Sequence, residues 1–141
     1  MIKILFLCTG NSCRSQMAEG WTKHLKGDLI EPYSAGIEIH GLNPNAVQVM
    51  AEVGVDISKH TSKVVKDLPK ISFDYVITVC DHANETCPLF PDKAKIIHKG
   101  FADPPSLAKN HASEAKKLGC YRKVRDEIKN YIDQLPKILP K

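Results

Sequence analysis

An apolar segment followed directly by a short polar loop and a helix is the feature that most constrains this sequence. Residues 2–7 are apolar at every position but the second, which is typical of a strand buried on both faces. Residues 8–14 contain Gly10 and Asn11 and predict a loop, and a helix is predicted to begin near Ser15. In that arrangement the backbone N–H groups of the loop and the positive end of the helix dipole converge. The sequence therefore predicts an anion-binding loop.

The rest of the chain alternates between strand-like and helical segments. Asn43 followed by Pro44 is a typical helix start, and 80–92 is polar with two prolines, which predicts a loop. Strands buried by neighbouring helices indicate an α/β fold with a parallel sheet, and we expect one domain, residues 1–141. The further strands are predicted at 31–35, 73–79 and 95–98. The further helices are predicted from Pro44 up to a stop at Gly54, at 61–68 and at 118–135.

Composition excludes several classes of protein. No run of 18 apolar residues and no signal sequence is present, so we expect a cytoplasmic protein without a membrane span. The net charge is +4, and residues 93–141 carry 12 basic against 5 acidic side chains. Because these charges are interleaved and lack a pattern of stacking aromatics, they predict a solvated helix face and no binding of nucleic acid.

Five cysteines are present, an odd number in a chain without a secretion signal. This usage favours catalytic, redox or metal-binding roles over a structural disulfide framework. The gap between the third and fourth is not that of a zinc knuckle, so we expect no metal site. We expect Cys13 to pack under the loop and Cys120 to be a plain helix thiol. The cysteines are Cys8, Cys13, Cys80, Cys87 and Cys120.

The predicted loop combines a thiol, a guanidinium and a hydroxyl. Arg14 can bind an oxyanion through two parallel hydrogen bonds, and Cys8 would lie at the floor of the site. Cysteines so placed have pKa values of about 3.5–7.5, and Ser15 could donate a hydrogen bond to the Cys8 sulfur. A thiolate below a bound tetrahedral oxyanion suits attack at phosphorus or arsenic. The alternative is a buried strand-end cysteine with a surface arginine. The predicted oxyanion-binding residues are Thr9, Gly10, Asn11, Ser12, Cys13, Arg14 and Ser15.

Residues 8–21 (CTGNSCRSQMAEGW) resemble the active-site loop of the low-molecular-weight protein tyrosine phosphatase fold, and more narrowly its thioredoxin-coupled arsenate reductase branch. The resemblance implies a three-layer α/β sandwich with a four-stranded parallel sheet flanked by helices. It also implies conversion of arsenate to arsenite. Further similar stretches lie at 33–37, 40–45, 52–58, 100–104 and 124–128.

The resemblance assigns a role to each of four residues. Cys8 would attack arsenate, and Asp103, which follows Ala102 where this branch usually has a second aspartate, would protonate the leaving oxygen. Cys80 would then attack the sulfur of the arsenic adduct, leaving a Cys8–Cys80 disulfide. Cys87 would attack Cys80 in turn, and thioredoxin would reduce the resulting Cys80–Cys87 disulfide. Such an exchange requires the segment after Cys80 to move.

Two alternatives from other classes remain. A phosphatase acting on phosphotyrosine or small phosphoesters would need only Cys8, the loop and Asp103, although Pro105 stands where phosphotyrosine enzymes usually have a tyrosine. A non-catalytic oxyanion-binding or redox-sensing domain would leave Asp103 without a task. We expect a monomer with thioredoxin and arsenate, or phosphate and sulfate as analogues, as partners, and with no tightly bound cofactor.

The resemblance also touches a cation site and two histidines. Asn11, Glu19 and Ser34 match positions that bind potassium in some relatives, but Lys63 stands where those relatives have an aspartate. Its ammonium would repel potassium or replace it, which argues against the site. His40 and His60 match loops of the family, and we expect both to be structural.

Overall fold

Four parallel strands form one sheet in the computed structural model, which describes residues 1–81, 83 and 94–140. The strand order is β2-β1-β3-β4, and β1 lies inside the sheet with five of its seven residues buried. The predicted α/β class with a four-stranded parallel sheet and packed helices is confirmed. The strands are β1 (Ile2–Cys8), β2 (Ile30–Gly36), β3 (Tyr75–Thr78) and β4 (Lys95–His98).

The longest helix joins the other helices into one layered core. α4 packs against α1, α2 and α3, and α1 also packs against β1 and β2. Asn43 caps α2 as predicted, since its side chain accepts hydrogen bonds from the N–H groups of Asn45 and Ala46. No helix in the described part of the chain is long and apolar enough to cross a membrane. The helices are α1 (Arg14–Lys26), α2 (Pro44–Ala51), α3 (Pro104–Ala108) and α4 (Glu114–Asp133).

The predicted helix at 61–68 is wrong. Only Val65–Asp67 forms a single 3₁₀ turn, and Val64 before it is extended and makes a parallel bridge to Gly36. The β-branched pair at 64–65 favours extended backbone. Leu68 is extended as well, with ψ 150°, because a residue before proline avoids the helical region. The segment therefore extends the β2 edge rather than forming a helix.

Two further segments differ from their predictions. The sequence analysis predicted no helix at 104–108, where α3 lies, although two prolines at the first helical positions fit a helix start. Asp81 and Ala83 have helical backbone within the predicted loop 80–92. Residue 82 and residues 84–93, Cys87 among them, lie outside the described residues.

Parallel strands bring their carboxyl ends to one edge of the sheet. Cys8 ends β1, His98 ends β4, and Cys80 follows β3 by two residues. The segment that contains Asp103 begins five residues after β4. All residues with a predicted chemical role that the structure describes thus belong to this one edge.

Candidate active site

The loop between β1 and α1 turns its carbonyl groups away from the cavity it surrounds. The carbonyl oxygens of Cys8, Thr9, Gly10 and Ser12 accept hydrogen bonds of 2.9–3.1 Å from backbone N–H groups within residues 37–43. Because N–H and C=O point in opposite directions across a trans peptide, the N–H groups of the loop face the other side. This orientation gives the loop the donors that an oxyanion requires.

Asn11 holds the loop in shape. Its φ of 47° is in the left-handed region, which asparagine tolerates better than most residues. Its side-chain oxygen accepts from the amide of Gln16 at 3.0 Å and from the N–H of Lys63 at 2.9 Å. Its side-chain nitrogen donates to the Ser15 hydroxyl at 2.8 Å. Asn11 is fully buried, so each of these bonds fixes its position.

The Ser15 hydroxyl is aimed at the candidate nucleophile. Ser15 Oγ lies 2.8 Å from Cys8 Sγ, and both side chains are buried. Because Ser15 Oγ accepts a hydrogen bond from the Asn11 side-chain nitrogen, its own hydroxyl proton is free to point at a Cys8 thiolate. A thiolate that accepts a hydrogen bond is stabilised relative to the thiol.

A cavity of about 290 Å³ lies over the loop. Arg14 closes one side: its Nη1 donates to the Phe101 carbonyl at 3.0 Å and its Nη2 lies 3.5 Å from Asp103 Oδ1. The volume is small and polar enough for a tetrahedral oxyanion and its leaving group. The lining residues are Cys8, Thr9, Gly10, Ser12, Cys13, Arg14, His40, Asp103 and Pro105.

Asp103 faces the cavity from the N-terminus of α3. One carboxylate oxygen lies near Arg14, and the other accepts the hydroxyl of Ser106 at 2.8 Å. The side chain is 37% exposed, so protons can reach it from solvent. The structure therefore brings the predicted acid, the guanidinium and the thiol to one cavity, although Cys8 and Asp103 are 95 residues apart in the sequence.

His40 is a member of the site that the sequence analysis took as structural. Its ring lies against Gly10, where an added Cβ would come within 2.2 Å of the imidazole. Its Nε2 lies 3.2 Å from a carboxylate oxygen of Glu38, and its backbone N–H donates to the Gly10 carbonyl. The sequence signal that could have identified this contact is Gly10, because a glycine allows close approach of another group.

Cys13 is buried beside the loop, as predicted. Its pKa lies far above the ordinary thiol value because burial disfavours the charged form, and the charges of Asp103 and Cys8 add to that effect. Arg14 acts in the opposite direction and does not compensate. Cys13 therefore stays a neutral thiol and does not compete with Cys8 as a nucleophile.

The second predicted thiol lies next to the loop. Cys80 Sγ is 3.2 Å from the hydroxyl of Thr9, the residue that follows Cys8, and accepts the N–H of Ala83 at 3.4 Å. The side chain is only 3% exposed. Cys120 lies elsewhere, on α4, where its sulfur donates to the Lys116 carbonyl. The structure thus places Cys80 beside the anion loop and Cys120 on α4, apart from it.

The residues that match the potassium site of some relatives are hydrogen-bonded to protein groups. The Asn11 side-chain oxygen already accepts two N–H groups, and the Ser34 hydroxyl donates to buried Glu19 at 2.7 Å. Lys63 lies beside these residues: its backbone N–H contacts Asn11, and its ammonium donates to the Thr61 carbonyl at 3.1 Å. Within the described residues, no group of three His, Cys, Asp or Glu side chains could hold a metal ion.

His60 is structural, as expected. Its Nδ1 lies 2.9 Å from the side-chain oxygen of Gln16 and 3.5 Å from Glu19. Burial lowers its pKa, and the charge of Glu19 only partly opposes this shift. The neutral ring therefore donates to Gln16, which in turn holds Asn11.

Comparison with known proteins identifies a family and a set of relatives. The family model for low molecular weight phosphotyrosine protein phosphatase matches residues 3–141. An arsenate reductase of Halalkalibacterium halodurans is 51% identical over 89% of this chain and 88% of its own length. An arsenate reductase of Bacillus subtilis is 50% identical over 93% of this chain and 92% of its own.

Solved structures agree with these relatives. An arsenate reductase in its phosphate-binding state is 31% identical, with a TM-score of 0.74 over 96% of each chain. A low molecular weight protein tyrosine phosphatase of T. tengcongensis is 30% identical, with a TM-score of 0.76 over 99% of this chain and all of the other. A thioredoxin-dependent arsenate reductase of Corynebacterium glutamicum is 25% identical, with a TM-score of 0.72 over 97% of this chain and 61% of the other.

Proposed function

Because the chain belongs to the arsenate reductase branch of the low molecular weight phosphotyrosine protein phosphatase family, we propose that it reduces arsenate to arsenite with electrons from thioredoxin. The nucleophile is Cys8, and Cys80 and Cys87 carry the electrons onward. The observation that carries the proposal is Cys80 against Thr9, because a phosphatase needs no second thiol beside its anion loop.

In the first step the loop N–H groups and Arg14 bind arsenate above Cys8. The Cys8 thiolate attacks arsenic, an arsenic–sulfur bond forms, and an oxygen leaves. Asp103 supplies the proton that converts this oxygen to water, a contribution of about 10²–10⁴-fold in rate. Ser15 Oγ, 2.8 Å from Cys8 Sγ, holds the sulfur in place before attack.

In the second step the Cys80 thiolate attacks Cys8 Sγ. A sulfur–sulfur bond forms and the arsenic–sulfur bond breaks, and its electron pair stays on arsenic. Arsenic(V) thereby becomes arsenic(III) and leaves as arsenite after protonation, while two thiols become one disulfide. The contact with the Thr9 hydroxyl and the hydrogen bond from the Ala83 N–H hold Cys80 Sγ beside the loop.

In the third step Cys87 attacks Cys80 and frees Cys8, and the dithiol of thioredoxin then reduces the Cys80–Cys87 disulfide. The role of Cys87 is supported by its place seven residues after Cys80 and by the resemblance of the chain to the branch. The choice of thioredoxin is supported by the relative from Corynebacterium glutamicum that is named thioredoxin-dependent.

The test is NADPH oxidation in the presence of thioredoxin and thioredoxin reductase, with and without arsenate. We expect oxidation that depends on arsenate and is abolished in Cys8→Ser and in Cys80→Ser. Cys87→Ser should complete at most one turnover per molecule. Cys120→Ser is the matched control, because this thiol lies on α4 away from the cavity, and it should retain full activity.

A phosphatase gives the opposite pattern in the same experiment. Wild-type protein that hydrolyses an aryl phosphate but shows no arsenate-dependent oxidation would overturn the reductase proposal. Continued thioredoxin-driven cycling in Cys87→Ser would remove that cysteine from the relay and leave the first two steps standing.

A further inference from the structure

A hydrogen-bonded chain of three side chains lies at the ends of β3 and β4 and is not used by the mechanism above. His98 Nδ1 is 2.8 Å from the hydroxyl of Thr78, and His98 Nε2 is 3.0 Å from Asp81 Oδ1. Thr78 and His98 are paired in register on neighbouring strands. Asp81 is the residue directly after Cys80.

We propose that His98 is a positioning residue for Cys80: by holding Asp81 against the end of the sheet, it keeps Cys80 Sγ beside the anion loop. The inference rests on the proposed function for the step it affects. It adds to that function a residue on β4, the strand farthest from β2 in the sheet.

The donors and acceptors along these hydrogen bonds support a positioning role for His98 rather than an acid–base role. An ionised Asp81 carboxylate can only accept, so His98 Nε2 is the donor in that bond. The other ring nitrogen, Nδ1, shares a hydrogen bond with the Thr78 hydroxyl, which also donates to the Ile97 carbonyl at 3.4 Å. Both ring nitrogens therefore have a partner, and the orientation of the imidazole is fixed by a buried threonine.

The backbone at Gly100 lies close to both members of this pair. An added Cβ at Gly100 would lie 3.2 Å from His98 Nε2 and 3.3 Å from Asp81 Oδ1. Asp81 itself is highly exposed, its side chain being 88% accessible, and its carboxylate contacts the sheet through His98. The His98 link is thus a side-chain tether between the sheet and the start of the segment that carries Cys80.

The tether bears on the second step of the reaction. Disulfide formation requires the two sulfur atoms to meet with a narrow range of geometries, and a misplaced nucleophile reacts more slowly. Cys80 Sγ is held by the Thr9 hydroxyl on one side and by its own chain on the other. Loss of the tether should therefore slow attack on the Cys8 adduct and leave oxyanion binding at the loop unchanged.

The experiment measures arsenite release in a single turnover without thioredoxin, using purified full-length variants. We expect His98→Ala and Asp81→Ala each to slow this step about two- to fivefold, as expected for loss of a hydrogen bond to a solvent-exposed carboxylate. The double variant should be no slower than either single one, because both remove the same link. The Kd of inorganic phosphate should remain that of the wild type.

Two conservative variants separate positioning from general packing. His98→Gln keeps a donor where Nε2 stands and should restore most of the rate. His98→Asn keeps only a group near Nδ1 and should stay slow. His111→Ala, which removes an exposed histidine outside the site, is the matched control and should behave as wild type.

A second readout does not depend on arsenate chemistry. A thiol oxidant such as diamide closes the Cys8–Cys80 disulfide directly, and mass spectrometry after alkylation measures its rate. The same ranking of variants is expected there, even in a protein that fails to release arsenite. Equal rates for His98→Gln and His98→Asn, or faster closure in His98→Ala, would overturn the inference.

Discussion

At the scale of single residues, Asp103 has opposite effects on anion binding and on the proposed proton transfer. Its carboxylate lies 3.5 Å from the Arg14 guanidinium, and an oxyanion entering the cavity competes for the same N–H groups. The negative charge of ionised Asp103 therefore weakens anion binding, whereas protonated Asp103 is the proposed acid for the leaving oxygen. Binding and turnover should respond oppositely when its charge is removed.

Asp103→Asn tests this opposition. The variant loses the acid, so we expect kcat for arsenate to fall about 10²–10⁴-fold. Because a negative charge is lost beside the cavity, KM should fall or stay constant. Steady-state kinetics with thioredoxin measure both quantities. Asp133→Asn, on the exposed end of α4, is the control with the same chemical change. A rise in KM with constant kcat would contradict the assignment.

Gly10 carries a second prediction at this scale. In Gly10→Ala the new methyl group would overlap the His40 ring, so we expect a distorted loop and at least tenfold weaker binding of inorganic phosphate. Calorimetric titration measures the Kd. The double variant Gly10→Ala/His40→Ala removes the obstructing ring and should recover part of the affinity. Equal Kd values for the single and double variants would show that the loop, rather than His40, opposes the methyl group.

At the scale of elements, one carboxylate links the end of α2 to α4. Glu52 accepts two hydrogen bonds from Arg122, at 2.9 and 2.7 Å, and one from Arg125 at 3.0 Å. Arg125 also donates to the Val49 carbonyl within α2. The hydrogen bonds from Arg122 lower the Glu52 pKa, and those from Arg125 add to the shift.

The lowered Glu52 pKa predicts a pH dependence of stability. A carboxyl whose pKa is lower in the folded state stabilises the fold above its unfolded pKa, and that contribution is lost as the pH falls through the folded pKa. The free energy of unfolding of wild type should therefore exceed that of Glu52→Gln at neutral pH, and the two should converge in acid. Urea unfolding at several pH values measures the difference. A constant difference down to low pH would refute the linkage.

How far the sequence predicts these elements depends on where the deciding contacts lie. The strand β4 and the capped helix α2 follow from local patterns, and both agree with the structure. The segment 61–68 looked helical but pairs with Gly36, a contact 28 residues away. The role of His40 depends on its approach to Gly10, again across the chain. Patterns within a segment do not encode such contacts.

The chemistry shows the same division. Cys8, Arg14 and Ser15 come from one loop, so their spacing already predicted a site. The position of Cys80 beside Thr9 and the link from His98 to Asp81 require the parallel order of β1, β3 and β4. The relay itself, from Cys8 through Cys80 to Cys87, remains a prediction.

At the scale of the whole molecule, α4 holds the helices together through buried side chains. Ile128 is fully buried in the common core. Ile128→Ala should lower the free energy of unfolding by about 2–5 kcal/mol, because it removes apolar contacts and leaves a cavity. Lys123→Ala on the exposed face should change it by less than about 0.5 kcal/mol. Denaturant unfolding measures both, and a small loss for Ile128→Ala would mean that the core closes around the gap.

The sheet distributes the proposed catalytic parts over separate strand ends: the anion loop follows β1, the second thiol, Cys80, follows β3, and the proposed acid, Asp103, follows β4. Each part can therefore change by mutation without rebuilding the others. A chain that keeps the loop and the acid but loses the thiol retains a route to phosphate ester hydrolysis, and a chain that gains the thiol acquires electron transfer. The architecture is modular in an evolutionary sense, which gives a physical reason why phosphatases and reductases can share one scaffold.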